Sequence, residues 1–222
     1  EVKKLPQRPD RRHFVAAGAA TFAASMLPGC TPPPGYGTQP QSPTTFTPGT
    51  PLPWINWSGN QYCHPSVRVA PATEMELADA LKGARGIVRA VGSGHSFSPL
   101  VPTDDTLIAT DLLSGLIRHD EKTFQTEIWA GTRLRDIGPS LASIGQALPN
   151  MPDIDYLSLG GAIATSAHAT GARFGSMSSY VTGLTLVTPM GLVVECDRNR
   201  NQAIFQAART SLGVLGIVSR VV

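Results

Sequence analysis

Two stretches almost bare of side chains divide this chain, VGSGHSFSP at 91–99 and SLGGAIATSAHATG at 158–171. Such segments constrain a fold strongly, because main chain left uncovered by Gly, Ala and Ser is open to close approach by another backbone or by a ligand. In the first, Gly92 and Gly94 permit positive φ and let successive N–H groups converge on an anion. A turn of purely structural use fits the same spacing. The loop is not the dinucleotide fingerprint of a doubly wound sheet: Phe97 stands where the third glycine would fall, and Pro99 argues against a helix opening directly behind. In the second stretch, Gly160 and Gly161 lead into Ala162, Ala164, Thr165, Ser166 and Ala167, along which a flat, extended ligand could lie. A tightly packed helix contact is the alternative. Each stretch carries a histidine. His95 on its own is more readily a turn residue bonded to a neighbour, and His168 is open between core, ligand-facing and supporting roles. Together, two separated segments of this kind are what a large dinucleotide clamped between two lobes requires.

The surrounding pattern is mixed α+β. SVRVAPAT (66–73) alternates as a strand ending at Pro71. Thr73 then caps a helix whose Glu76 sits at the capping-box position, with Met75, Leu77, Ala78 and Leu81 forming its apolar stripe. IVRAV (87–91) follows as a strand, so a β-α-β unit delivers the chain into the first glycine loop. Short strands are predicted at 106–110, 115–120 and 124–131. A helix over 132–143 buries Leu134, Ile137 and Leu141. Residues 180–197 read as a hairpin turned at Pro189-Met190-Gly191, and a helix at 201–210 and a final strand close the chain. Two β-α-β-like units predict two small lobes facing each other.

Charge is uneven. Residues 1–30 carry five basic side chains against two acidic ones, whereas the remainder carries thirteen against fourteen, which gives no basis for a nucleic-acid surface. Arg11-Arg12 ahead of the weakly apolar FVAAGAATFAASMLP resembles a twin-arginine export signal, too short to span a bilayer comfortably. LPGC at 27–30 resembles a lipoprotein cleavage box with Cys30 as the acylated residue, although Pro28 is an unusual occupant. A plain cleaved signal or a short anchor helix would also fit. The expected location is periplasmic or cell-surface, with membrane attachment through a lipid on Cys30. Residues 31–53, with eight prolines, three glycines and no charge, read as a semi-extended linker, and the folded body is expected from Trp54 to Val222. Cys63 and Cys196 do not by themselves define a bridge.

VGSGHSFSP, LSLGGAIATSAHATG and SLGVLGIVS (211–219), in this order and spacing, resemble the FAD-binding half of the vanillyl-alcohol-oxidase (PCMH-type) flavoproteins. INWSGNQYCHP (55–65) narrows the resemblance to the sugar-1,4-lactone oxidases, which include gulonolactone and arabinonolactone oxidases and their relative alditol oxidase. The resemblance spans about 54–222 and implies an α+β, two-lobed FAD-binding domain, each lobe a small mixed sheet with flanking helices. It implies FAD as cofactor, covalently held by His95, with Val91, Gly92, Ser93, Gly94 and Ser96 around the pyrophosphate. Asp153, Ser158, Leu159, Gly160, Gly161, Thr165, His168 and Ile217 fall at family positions that contact the cofactor. Asp153 departs from the small hydroxyl residue frequent there, and a carboxylate beside phosphates would be unfavourable. A neutral imidazole is a suitable nucleophile for the attachment.

The implied activity is oxidation of a hydroxyl of a sugar lactone or polyol, with hydride passing to the flavin and then to O₂ or another acceptor. Pro152, near a position where Pro or Gly accompanies oxidases, favours O₂. Relatives continue into a substrate domain that supplies the groups acting on the sugar, so no catalytic residue and no metal site is predicted within this chain, and the fragment alone is expected to be inactive. Two other functions fit the same fold: a flavin dehydrogenase of an unrelated alcohol, aromatic or lignan-like, and an exported binding module without activity.

Overall fold

A computed structural model of the chain describes residues 49–222. The export signal at 1–30, Cys30 and most of the proline-rich linker lie outside the described residues.

The first lobe begins with β1 (Trp54–Ile55), paired antiparallel with β2 (Tyr62–Cys63). It continues as β3 (Val67–Val69), α1 (Glu74–Gly83), β4 (Val88–Val91) and β5 (Thr106–Ala109), and the last three strands form a parallel sheet ordered β3-β5-β4. The predicted cap forms: the Glu76 N–H donates to Thr73 Oγ1 at 3.1 Å, and the Glu76 carboxylate accepts from the Ala72 N–H at 2.9 Å. Leu77, Ala78 and Leu81 are buried, but Met75 is 73% exposed. The stripe therefore excludes Met75, which precedes Leu77 by two residues and so lies about half a turn round the helix.

The second lobe holds β6 (Leu116–Asp120), β7 (Gln125–Trp129), β8 (Gly183–Val187), β9 (Val193–Asp197) and β10 (Ile217–Val221) in one sheet ordered β6-β7-β10-β8-β9. Every neighbouring pair in it is antiparallel. The expected second β-α-β unit is thus absent from this sheet, and the mixture lies between the sheets, one wholly parallel and the other wholly antiparallel. Tight turns account for two of the four pairings, because a tight turn can join only antiparallel neighbours. Residues 121–124 turn β6 into β7, and Thr188 to Leu192 turn β8 into β9 with Gly191 at φ +70°.

Four helices complete this lobe: α2 (Leu134–Ala142), α3 (Leu159–Ala164), α4 (Met177–Tyr180) and α5 (Gln202–Ala208). The stripe Leu134, Ile137, Leu141 of α2 is buried as predicted, in a core shared with Leu159, Ala162, Ile163, Leu184, Leu186 and Phe205. A second core lies under α1, where Leu77 and Leu81 meet Ile108, Val187 and Ile217, so that residues of both sheets share one apolar cluster. Arg220 of β10 adds a polar tie, holding Glu74 of α1 at 2.9 Å and the buried Glu127 of β7 at 2.8 Å. Cys63 and Cys196 are free and buried, and burial pushes both thiols up.

Candidate functional site

The end of β4 releases the first glycine loop. The Val91 carbonyl accepts from the Thr110 N–H at 3.0 Å, which anchors the strand end on β5. Beyond it, the INWSGNQ segment that follows β1 takes the loop's carbonyls. The Trp57 N–H donates to Gly94 at 2.9 Å, Asn56 Nδ2 to Ser96 at 2.9 Å and Asn60 Nδ2 to Phe97 at 3.0 Å. Asn56 is only 4% exposed and its Oδ1 accepts from the Gln61 N–H, so the clamp is itself fixed. With its carbonyls engaged on that side, the loop has N–H groups from Gly92 to Ser96 that donate to no acceptor among the described residues. Gly94 has φ +67°. Successive free N–H groups on a turn of this kind form an anion-binding concavity.

His95 projects between two aromatic rings. It stacks on Trp57 with centroids 5.1 Å apart and 18° between planes, and faces Tyr156 at 6.4 Å and 29°. Tyr156 in turn carries the Arg135 guanidinium 5.0 Å over its ring. Burial, then the Arg133 charge, hold the imidazole below the ordinary histidine range and favour its neutral form.

The second glycine stretch is bonded to the first. The Ser158 N–H donates to Ser93 Oγ at 2.6 Å, although 65 residues separate the two. Leu159 and Gly160 donate their N–H groups to the Thr132 and Ala130 carbonyls at 2.8 and 2.7 Å, which presses the start of α3 against the end of β7. A Cβ at Gly160 would stand 3.1 Å from that of Ala130, and one at Gly92 only 1.9 Å from Ser158 Oγ. The bare main chain therefore serves close approach, of Gly92 to the second segment and of Gly160 to the end of β7.

These segments and the loop before β10 line a cavity of about 370 Å³. Of the residues expected at the site, the structure brings Val91, Gly92, Ser93, Gly94, His95, Ser96, Ser158, Gly160, Gly161, Thr165 and Ile217 to its wall. Three are placed elsewhere. Leu159 turns into the core of the second lobe at 5% exposure, since α3 puts its apolar side there. Asp153 lies exposed on the surface, which removes the conflict between its carboxylate and phosphates. His168 is exposed as well, with Nδ1 3.0 Å from the Ala169 carbonyl. The Thr165 hydroxyl donates to the Gly161 carbonyl at 2.9 Å, so its proton is already engaged.

Sequence reasoning did not single out Arg89, Ala130, Leu212 or Gly213, which also line the cavity. The alternation of IVRAV places Arg89 on the sheet face opposite Val88 and Ala90, a signal that was present in the sequence. Among the described residues, the cavity wall contains no Asp or Glu. A cavity with an anion-binding turn and no negative side chain suits a dinucleotide, and the free N–H groups fit the FAD diphosphate.

The fold and the site together define a two-lobed flavin-nucleotide-binding domain. The chain belongs to the FAD binding domain family, whose model matches residues 65–197. It is 42% identical over 171 residues to an L-gulono-1,4-lactone dehydrogenase of Mycobacterium tuberculosis, covering 76% of this chain and 39% of that protein. It is 34% identical to the L-gulonolactone oxidase of Bos taurus over 73% of this chain and 38% of that one. With the D-arabinono-1,4-lactone oxidase of Eremothecium gossypii it shares 35% identity, over 74% of this chain and 32% of that one. The chain thus spans about two fifths or less of the length of these relatives. Among solved structures, a chitooligosaccharide oxidase superposes with a TM-score of 0.64 at 20% identity, over 72% of this chain and 35% of its own, a likeness of fold.

Proposed function

We propose that this chain is the FAD-binding part of a flavin-dependent oxidoreductase that oxidises a hydroxyl group of a sugar lactone or polyol, and that His95 is the point of covalent flavin attachment. The observation that carries this is the convergence, on one cavity, of the free N–H groups of Gly92–Ser96 and an imidazole clamped by Trp57 and Tyr156. The relatives named above, two of them acting on gulonolactone and one on arabinonolactone by name, supply the substrate class.

Bound FAD would supply the hydride acceptor. The chain's own residues divide the remaining work. The loop at 92–96 holds the pyrophosphate through backbone donors, which bring no side-chain entropy cost. Gly160 and Gly161 let the start of α3 pack closely on Ala130 and Ser158, which sets the opposite wall of the cavity. Trp57 and Tyr156 fix the plane of His95, and its neutral form leaves a ring nitrogen free as nucleophile. Groups acting on the sugar are proposed to lie in the part of the relatives that this chain does not match. Export through the Arg11-Arg12 leader and a lipid on Cys30 belong to the same proposal, tested by acyl labelling of the unaltered protein and of Cys30→Ala.

The test is turnover by the full-length protein with a panel of aldonolactones, polyols and aromatic alcohols, followed both as peroxide release and as reduction of an artificial acceptor. Lactone- or polyol-dependent turnover is expected, and its peroxide yield assigns O₂ or another acceptor. Turnover confined to aromatic alcohols, or none by flavin-loaded protein, would overturn the substrate class.

A further inference from the structure

Among the described residues, Arg89 is the one permanently charged residue lining the cavity, and no Asp or Glu lines it. It lies in β4, two residues ahead of the strand end that releases the 92–96 loop. Val88 and Ala90 pack against the core under α1, so alternation turns Arg89 to the opposite face, with Val91. Among the described residues its guanidinium enters no ion pair, and its Nε is buried without a hydrogen-bond partner. Arg133, the other cation whose charge reaches the site, is held by Asp111. Leaving a half-buried guanidinium without an acceptor is unfavourable for the unliganded protein. Side chains kept at such a cost commonly mark a ligand, and the cost is removed when a ligand brings the missing anion.

We propose that Arg89 is the charge partner of the FAD diphosphate, complementing from the sheet the uncharged N–H groups of Gly92–Ser96. This rests on the FAD reading above and adds a residue to it. The pairing predicts opposite effects on the empty and the loaded protein. Removing the charge relieves the unliganded chain of an unpaired cation and deprives the ligand of its counter-charge. A residue with only a packing role would instead weaken both.

The experiment compares the unaltered protein with Arg89→Met, which keeps an apolar stem, and Arg89→Lys, which keeps the charge. Flavin-free protein is melted, then titrated with FAD while the rapid quenching of flavin fluorescence, which precedes any covalent step, is recorded. Arg89→Met is expected to melt at the same or a higher temperature without FAD and to need at least tenfold more FAD for half-saturation, the loss expected of a hydrogen bond to a charged group. Arg89→Lys is expected to bind at least threefold more tightly than Arg89→Met. A smaller rise for Arg89→Met, a lower melting temperature of its empty form, or no recovery with lysine overturns the inference. Failure of the unaltered protein to bind FAD overturns the reading beneath it and is seen separately.

Discussion

Gly92→Ala tests whether the two glycine stretches meet as described. A Cβ at position 92 would lie 1.9 Å from Ser158 Oγ and 2.8 Å from Ser158 Cβ. Rotation of Ser158 can move its hydroxyl, but it leaves the Cβ–Cβ approach far inside van der Waals contact, so one main chain must retreat. Ser158 is 2% exposed and its N–H is tied to Ser93 Oγ, which leaves little room for that retreat. Overpacking of this kind costs about 1–3 kcal/mol, and loss of the Ser158–Ser93 hydrogen bond adds about 1 kcal/mol. A total of about 3 kcal/mol corresponds to a drop of roughly 6–12 °C in melting temperature for a domain of this size. Differential scanning calorimetry of the unliganded chain measures it directly. The companion is Ser158→Gly, which removes both atoms that collide. Alone it costs about 1 kcal/mol, and combined with Gly92→Ala it should recover more than half of the loss. Gly92→Ala as stable as the unaltered chain, or a double variant no better than the sum of its parts, would refute the contact.

Gly131→Ala is expected to be more damaging still, because its Cβ would stand 1.9 Å from the Thr110 carbonyl oxygen and the obstacle is backbone; the readout is soluble yield together with melting temperature. Arg220→Met removes the guanidinium shared by Glu74, Glu127 and Glu195 and leaves the buried Glu127 only Arg118, which should cost about 2 kcal/mol in urea unfolding. His95 is held below its ordinary value, so as pH falls the unfolded chain takes the proton first. The stability it contributes is present above about pH 6.5 and is lost as pH falls through the depressed folded value. Urea midpoints at pH 7.5 and 5.0 should therefore fall further for the unaltered chain than for His95→Gln.

Much of this architecture is legible in the sequence where local chemistry and long-range packing agree. Thr73 and Glu76 announce the start of α1, Leu134, Ile137 and Leu141 the buried face of α2, and Pro189-Met190-Gly191 the hairpin between β8 and β9. The stretch from 150 to 176 is different. Its small residues carry no helical period, and the position of α3 is decided by backbone contact of Leu159 and Gly160 with Thr132 and Ala130. That contact is invisible until the second lobe is assembled. The same holds for Leu159, which turns into the core while Ser158 and Gly160 on either side line the cavity, and for Asp153 and His168, which lie exposed away from it. His95 is legible as a residue without an evident local purpose, but the rings that hold it come from positions 57 and 156, far away in sequence. Arg89 shows the converse: alternation tells that it leaves the α1 face, and only the tertiary structure shows that the edge strand β4 carrying it lines the cavity.

The central claim is that the 92–96 loop binds FAD and that His95 bonds to it. Acid-denatured full-length protein, run on a gel and viewed for flavin fluorescence, tests this most directly. The account predicts a fluorescent protein band that His95→Ala abolishes, with flavin still released from that variant on denaturation. A band that persists in His95→Ala, or unaltered protein that purifies with no flavin and takes up none, would contradict it.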